Sequence, residues 1–197
     1  MKIYDISQEI FSCRVYPGDP SPRKERLSSI DNGECYNLTA FYMCAHNGTH
    51  IDAPYHFINN GNTVENIALS KTVGPAYVSE YSGDITADTA KEILRKAESQ
   101  SIESAKRILI KGDATVTLEA AIVFSEKGID LIGNESQSIG PENAPMAVHK
   151  VLLEKEVVLL EGIRLSDVSE GVYFLSAAPL SLAGSDGAPC RAILIEF

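Results

Sequence analysis

Three of the chain's four histidines fall in one short run, His46-Asn47-Gly48-Thr49-His50-Ile51-Asp52-Ala53-Pro54-Tyr55-His56-Phe57. His46, His50, Asp52 and His56 all occupy even positions. Extended backbone, whose side chains alternate faces with period two, would turn all four to one side. A helix would align His46 with His50 but rotate Asp52 away, because six residues is not near a whole number of turns. Gly48 suits a bend or a close approach, and Pro54 ends ladder pairing. The run therefore predicts a strand that leads out into a loop. Imidazole is the commonest protein metal ligand, so a carboxylate among three such rings points to a metal-activated enzyme. The competing reading from spacing alone is a polar strand whose side chains satisfy one another.

Composition narrows the classes. With 197 residues, 44% hydrophobic and 22% charged, the chain can bury a substantial core as one domain, residues 1–197. A net charge of −10 without a basic stripe argues against nucleic acid or an anionic membrane surface as a partner. No apolar stretch approaches the length of a membrane helix, and the first residues lack an apolar signal core, so a cytoplasmic protein is expected. Cys13, Cys35, Cys44 and Cys190 form no CxxC pair and are expected to be buried reduced thiols.

Along the chain, residues 2–6, 13–16, 23–29 and 35–45 read as strands, with Tyr16-Pro17-Gly18-Asp19-Pro20 as a turn. An antiparallel N-terminal arrangement follows. The period then changes. Thr89-Ala90-Lys91-Glu92 has the form of a capping box opening a helix through Ile93, Leu94 and Ala97, and residues 107–111 read as a strand. A second helix over 117–127 stops at Gly128, a short strand covers 129–133, and Pro145 opens a third helix carrying Met146, Val148, Val151 and Leu152. Residues 157–161, 172–176 and 192–197 complete the set as strands. This alternation is of βαβ type.

Two further residues invite attention. His149, on the third helix, is by itself an ordinary core or surface histidine. Glu161 follows Val157-Val158-Leu159-Leu160 in a segment that should be buried, where a lone carboxylate is costly and a cation, metal or salt-bridge partner is its natural complement.

The run His46-x-Gly48-Thr49-His50-x-Asp52-x-Pro54-x-His56 resembles, at every specified position, the HxGTHxDxPxH signature of the metal-dependent cyclase-like hydrolase family, which includes kynurenine formamidases and isatin hydrolases. Tyr16-Pro17-Gly18-Asp19-Pro20 is similar to that family's early proline-glycine turn, and Met146-Ala147-Val148-His149 through Leu159-Leu160-Glu161-Gly162-Ile163 to its later helix-strand unit. The resemblance spans nearly the whole chain. It implies an α/β, swivelling β/β/α-type domain with a mixed central sheet and antiparallel N-terminal strands. It also implies that His46, His50 and Asp52 hold a divalent metal, usually zinc and in some members manganese, that His56 is the catalytic acid or base, and that His149 and Glu161 help hold a second ion bridged by Asp52. In one-metal members the later pair serves instead to orient ligands or substrate.

The implied activity is hydrolysis of a non-peptide amide C–N bond of a small molecule, arylformamidase-like, by a metal-bound hydroxide. Zinc with an open coordination position brings water to a pKa of ~7 and polarises the carbonyl, while His56 moves a proton toward the leaving nitrogen. The alternatives are ring opening of a cyclic amide or lactone, as in the isatin hydrolase branch, and a catalytically silent metal or small-ligand binding protein. Thr49 is expected to support the ligands. Tyr16, Gln137 and Ser138 are expected to contact substrate, with Phe41 and Tyr55 as further aromatic surface. Asn134–Ser138 departs from the aspartate-proline-serine pattern of formamidase-type members, which argues against formylkynurenine as the particular substrate. A homodimer or homotetramer is expected.

Overall fold

The computed structural model describes residues 1–197. Thirteen strands run in chain order as β1 (Lys2–Asp5), β2 (Arg23–Ser28), β3 (Leu38–Tyr42), β4 (His50–Asp52), β5 (Val73–Glu80), β6 (Gly83–Ile85), β7 (Arg107–Lys111), β8 (Ala114–Val116), β9 (Leu131–Asn134), β10 (Val158–Glu161), β11 (Gly171–Ser176), β12 (Gly187–Pro189) and β13 (Ile193–Glu196). The helices are α1 (Leu69–Thr72), α2 (Ala87–Gln100), α3 (Leu118–Lys127) and α4 (Met146–Leu153). None is long and apolar enough to cross a membrane.

Nine strands form one mixed sheet in the order β1-β13-β11-β5-β7-β9-β10-β4-β12. Its centre, β5-β7-β9-β10, is parallel, and both flanks are antiparallel. The central strands are nearly continuous apolar runs because both of their faces are covered. Period two then divides the side chains. Ile108, Ile110, Ile132 and Leu159 join a cluster with Ile93, Leu94, Phe124 and Leu152 of the helices, while Leu109, Leu131 and Leu160 join a second cluster. That second cluster also holds Ile51 and Ala188 from one end of the sheet and Leu175 and Leu194 from the other, so the sheet curls around it. The expected α/β class, mixed sheet and antiparallel N-terminal strands are observed.

The helices follow their capping chemistry. Thr117 accepts from the Ala120 N–H at the start of α3, and Gly128 ends that helix in the left-handed region at φ 71°. The start of α2 differs from expectation. Thr86, not Thr89, is the cap, and its hydroxyl accepts from the Thr89 N–H, so the helix gains a turn before burying Ala90, Ile93, Leu94 and Ala97 on one stripe.

One strand reading needs correction, and the long strand β5 was not among those read. Residues 13–16 pair with nothing in a sheet; the Arg14 N–H is instead taken by the Gln8 side chain. The long strand β5 was hidden by Gly74-Pro75, a dipeptide that argues against a central strand. It is tolerated because the Pro75 carbonyl faces the Arg107 guanidinium at 3.1 Å, so the side lacking an N–H is the side where the ladder to β7, which starts at Tyr77, has not begun. The thiols also differ from expectation: all four are free, but Cys35 is exposed and Cys13, Cys44 and Cys190 are half-buried.

Candidate active site

The site is built on β4, which is antiparallel to β10 on one side and β12 on the other. This places His50 opposite Glu161 and Asp52 opposite Gly187. Only His50 and Asp52 use the strand's period to share a face. His46 arrives from a turn in which the Asn47 side-chain oxygen accepts from the Cys44 N–H at 2.9 Å and Gly48 adopts φ 67°. His56 arrives from a single 3-10 turn, Pro54–His56. All four expected groups therefore converge, but the extended segment is shorter than the spacing implied.

His50, His149 and Glu161 are oriented by backbone groups, and His46 by carboxylates. The His50 Nδ1–H faces the Gly48 carbonyl at 3.0 Å, which leaves Nε2 buried, without a hydrogen-bond partner, 3.4 Å from both Asp52 Oδ1 and Glu161 Oε2. His149 Nδ1 faces the Pro145 carbonyl at 2.9 Å, one helical turn back, and its Nε2 lies 3.1 Å from Glu161 Oε1 and 3.7 Å from Asp52 Oδ2. His46 Nδ1 lies 2.8 Å from Asp52 Oδ1, and its Nε2 lies 2.9 Å from Asp186 Oδ2. Glu161 is fixed in turn by the Ile139 N–H at 2.8 Å, and the Thr49 hydroxyl donates to the carbonyl of the next residue, Gly162, at 2.7 Å. Thr49 thus steadies the strand end that carries Glu161.

The electrostatics follow from burial. Asp52 and Glu161 are almost wholly buried, and no lysine or arginine pairs with either. Burial opposes a charged ring at His46, but Asp52 and Asp186 outweigh it and hold the imidazole up to about 11. At His50 burial is likewise outweighed, by Asp52 and Glu161, and the value is pushed up to about 9. His149 is raised against its own burial by Glu161. Burial would raise Asp52, yet His46 and His50 keep it well below the carboxylate range. The two buried carboxylates therefore draw positive charge to this floor: protons on the rings supply it when no metal is bound, and a divalent cation held by the inward-facing ring nitrogens would take their place.

A divalent metal fits these donors. His46, His50 and Asp52 bring ligand atoms within 4.8 Å of one another, and so do Asp52, His149 and Glu161, with Asp52 common to both groups. The orphaned His50 Nε2 aims into the space they enclose.

A cleft of ≈ 300 Å³ opens above the cluster, bounded by Tyr16, Asp19, Phe57, Gln137, Ser138 and Pro145 along with the histidines and Glu161. Tyr16, Gln137 and Ser138, the expected substrate contacts, all line this cleft. The Gln137 amide is already engaged, donating to the Gly48 carbonyl at 3.1 Å and accepting from the Gln8 side chain at 2.6 Å, whereas the Ser138 hydroxyl is buried without a partner. Phe41 and Tyr55 do not line this cleft; Phe41 packs edge-on against Phe11, at a ring separation of 6.4 Å. One residue escaped the sequence reading. Asp186 lies within hydrogen-bond distance of both His46 and His56. Its only sequence signal was the turn-forming pair Asp186-Gly187.

Residues 4–141 match the model of the family named Cyclase, described as "Putative cyclase". The chain is 32% identical over 213 residues to a kynurenine formamidase of Erythrobacter litoralis, an alignment covering all of this chain and 94% of that one. A solved structure described as a potential metal-dependent hydrolase with cyclase activity superposes with a TM-score of 0.81 at 31% identity, covering 98% of this chain and 96% of the other. An isatin hydrolase bound to the product analogue thioisatinate shares the fold at a TM-score of 0.83 and 18% identity, over 98% of this chain and 91% of its own.

Proposed function

The chain belongs to the Cyclase family, and we propose that it is a metal-dependent hydrolase that cleaves the C–N bond of a small non-peptide amide, with arylformamides as the leading substrate class. The observation that carries this reading is the pair of buried carboxylates facing three imidazole nitrogens at the floor of a cleft, with His56 at its wall. Zinc, or manganese in its place, is the ion we assign, held by His46, His50 and Asp52, with His149 and Glu161 available to a second. When bound, such an ion supplies a Lewis acid for the carbonyl and lowers the pKa of water.

The chain's own residues supply the rest. Asp52 and Glu161 hold the positive charge in place, and the hydrogen bonds of His50 to Gly48 and of His149 to Pro145 keep their Nε2 atoms turned inward. With its Nδ1 taken by Asp186, His56 is left with Nε2 to accept a proton and return it to the leaving nitrogen. Ser138, with an unpartnered hydroxyl at the cleft wall, is positioned to bind a substrate oxygen or N–H.

Purified protein is expected to carry one or two equivalents of zinc or manganese, to hydrolyse N-formyl arylamines, and to lose and regain that activity with chelation and metal return. Metal at 100 times its Kd should stabilise the fold by about 2.7 kcal/mol, which for a chain of this size raises Tm by roughly 5–10 °C. Turnover that survives complete chelation would overturn the reading, and capture of ligands without turnover across formamides, lactams and lactones would make this a binding protein.

We also propose that a second copy covers the β2–β3 ribbon. Every residue of the ribbon but Ser28 and Ala40 is exposed, including Leu27, Leu38, Phe41 and Tyr42, although an isolated two-stranded ribbon is marginal in water. Arg23, Lys24 and Arg26 concentrate positive charge on this strand of a chain whose net charge is −10, so another copy offers complementary charge. Ile10, Phe11, Phe41 and Met43 border a groove of ≈ 570 Å³ beside it. Sedimentation velocity should show a dimer or tetramer, and Phe41→Asp should shift it to monomer; a wild-type monomer at tens of micromolar would refute the assembly.

A further inference from the structure

We propose that Asp186 is a positioning residue, one carboxylate oxygen of which holds both His46 and His56 in their working orientations. The inference rests on the hydrolase reading above. Asp186 Oδ2 lies 2.9 Å from His46 Nε2 and 3.2 Å from His56 Nδ1. The two rings lie face to face, their centroids 4.1 Å apart and their planes inclined by 35°, so a single acceptor reaches an edge of each.

The consequence differs at the two rings. At His46, an N–H donated to Asp186 through Nε2 would reserve the Nδ1 lone pair for a bound metal, since Nδ1 is the nitrogen that faces Asp52 Oδ1 at 2.8 Å and belongs to the cluster with His50. A carboxylate behind a ligating imidazole fixes the tautomer and raises the basicity of the ring. At His56, the same oxygen takes the Nδ1–H and leaves Nε2 as the nitrogen that can exchange a proton.

Asp186 is itself held firmly. Its carbonyl accepts from the Ala53 N–H at 2.9 Å, the Ser185 carbonyl accepts from the Val64 N–H at 2.9 Å, and the Ser185 hydroxyl closes onto the Gly187 carbonyl at 2.7 Å. Gly187 pairs with Asp52 across the β4–β12 ladder, and a Cβ there would stand 2.8 Å from the His46 ring and 2.7 Å from the Ile51 carbonyl. The absence of a side chain at 187 is what lets His46 lie against this strand, within reach of the neighbouring carboxylate. Asp186 is 42% exposed at its side chain, so it is not held there by core packing.

The test uses Asp186→Ala and Asp186→Asn in the full chain. For Asp186→Ala, kcat should fall by about 10–100-fold with KM nearly unchanged, while the protein still takes up zinc. Asp186→Asn, whose amide oxygen can accept from both rings, should recover part of that loss. Long-range 1H–15N spectra of the histidine side chains give a reading independent of turnover: His56 should be the Nδ1–H tautomer in the wild type and in Asp186→Asn, and should move toward Nε2–H in Asp186→Ala. An Asp186→Ala protein with unchanged kcat and unchanged His56 tautomer would overturn the proposal. Loss of zinc as complete as in Asp52→Ala would also overturn it, by making Asp186 a ligand. If the wild type hydrolyses none of the amides, the functional reading fails by itself, and the tautomer spectra still decide the role of Asp186.

Discussion

His56→Ala is expected to keep its metal and to lose amide turnover by a factor on the order of 10² to 10⁴. The ring is half-buried on the 3-10 turn after β4 and belongs to neither of the clusters that share Asp52. Its neighbours are the Asp186 carboxylate and the faces and edges of His46 and Phe57. Removing it therefore leaves the buried carboxylates and their three imidazoles in place, and metal analysis after dialysis should match the wild type. What is removed is the group that can return a proton to the departing nitrogen. An amine leaves poorly as an anion, so amides should suffer most. An ester of an acidic phenol, which leaves unprotonated, should be much less affected by the same substitution. Parallel losses on amide and ester would deny His56 this protonating role, and loss of metal would make it a ligand.

The legibility of this site in the sequence tracks the separation over which each residue acts. His50 and Asp52 were readable because both lie within β4, where period two holds. His46 and His56 were placed on the correct side for a reason that spacing alone does not contain: turns anchored by Asn47, Gly48 and Pro54 carry them there. Glu161 could be flagged from its apolar neighbours, since a carboxylate at the end of a buried strand needs a partner, but the identity of that partner depends on β10 lying beside β4. His149 carried no local signal. It acquires meaning only because α4 packs against the strand that bears Glu161, bringing the two within 3.1 Å. Asp186 is further still, 140 residues from His46, in the bend just before a strand of three residues that periodicity does not detect. The same contrast holds for the fold. The helices and the apolar central strands were written in local pattern, whereas β5 was masked by Pro75, whose tolerance depends on a neighbouring arginine rather than on its own segment.

The largest loss is expected for Asp52→Ala, which should retain no metal after dialysis and should hydrolyse amides at least about 10³-fold more slowly than the wild type, since the site's charge stabilisation of the transition state is worth several kcal/mol and each 1.36 kcal/mol is tenfold. Asp52 is the one residue common to both ligand groups: Oδ1 faces His46 at 2.8 Å and His50 at 3.4 Å, while Oδ2 faces His149 at 3.7 Å. Its loss opens both groups at once. His149→Ala provides the contrast, because it removes a donor only from the group completed by Glu161 and leaves His46, His50 and Asp52 intact. If the wild type holds two ions, His149→Ala should hold one; if the wild type holds one and His149→Ala keeps it, that ion belongs to the His46 side. Full metal content in Asp52→Ala would contradict a shared carboxylate. It would mean that the imidazoles of β4 and α4 do not depend on one anion, although the geometry makes Asp52 the only carboxylate within 4 Å of all three.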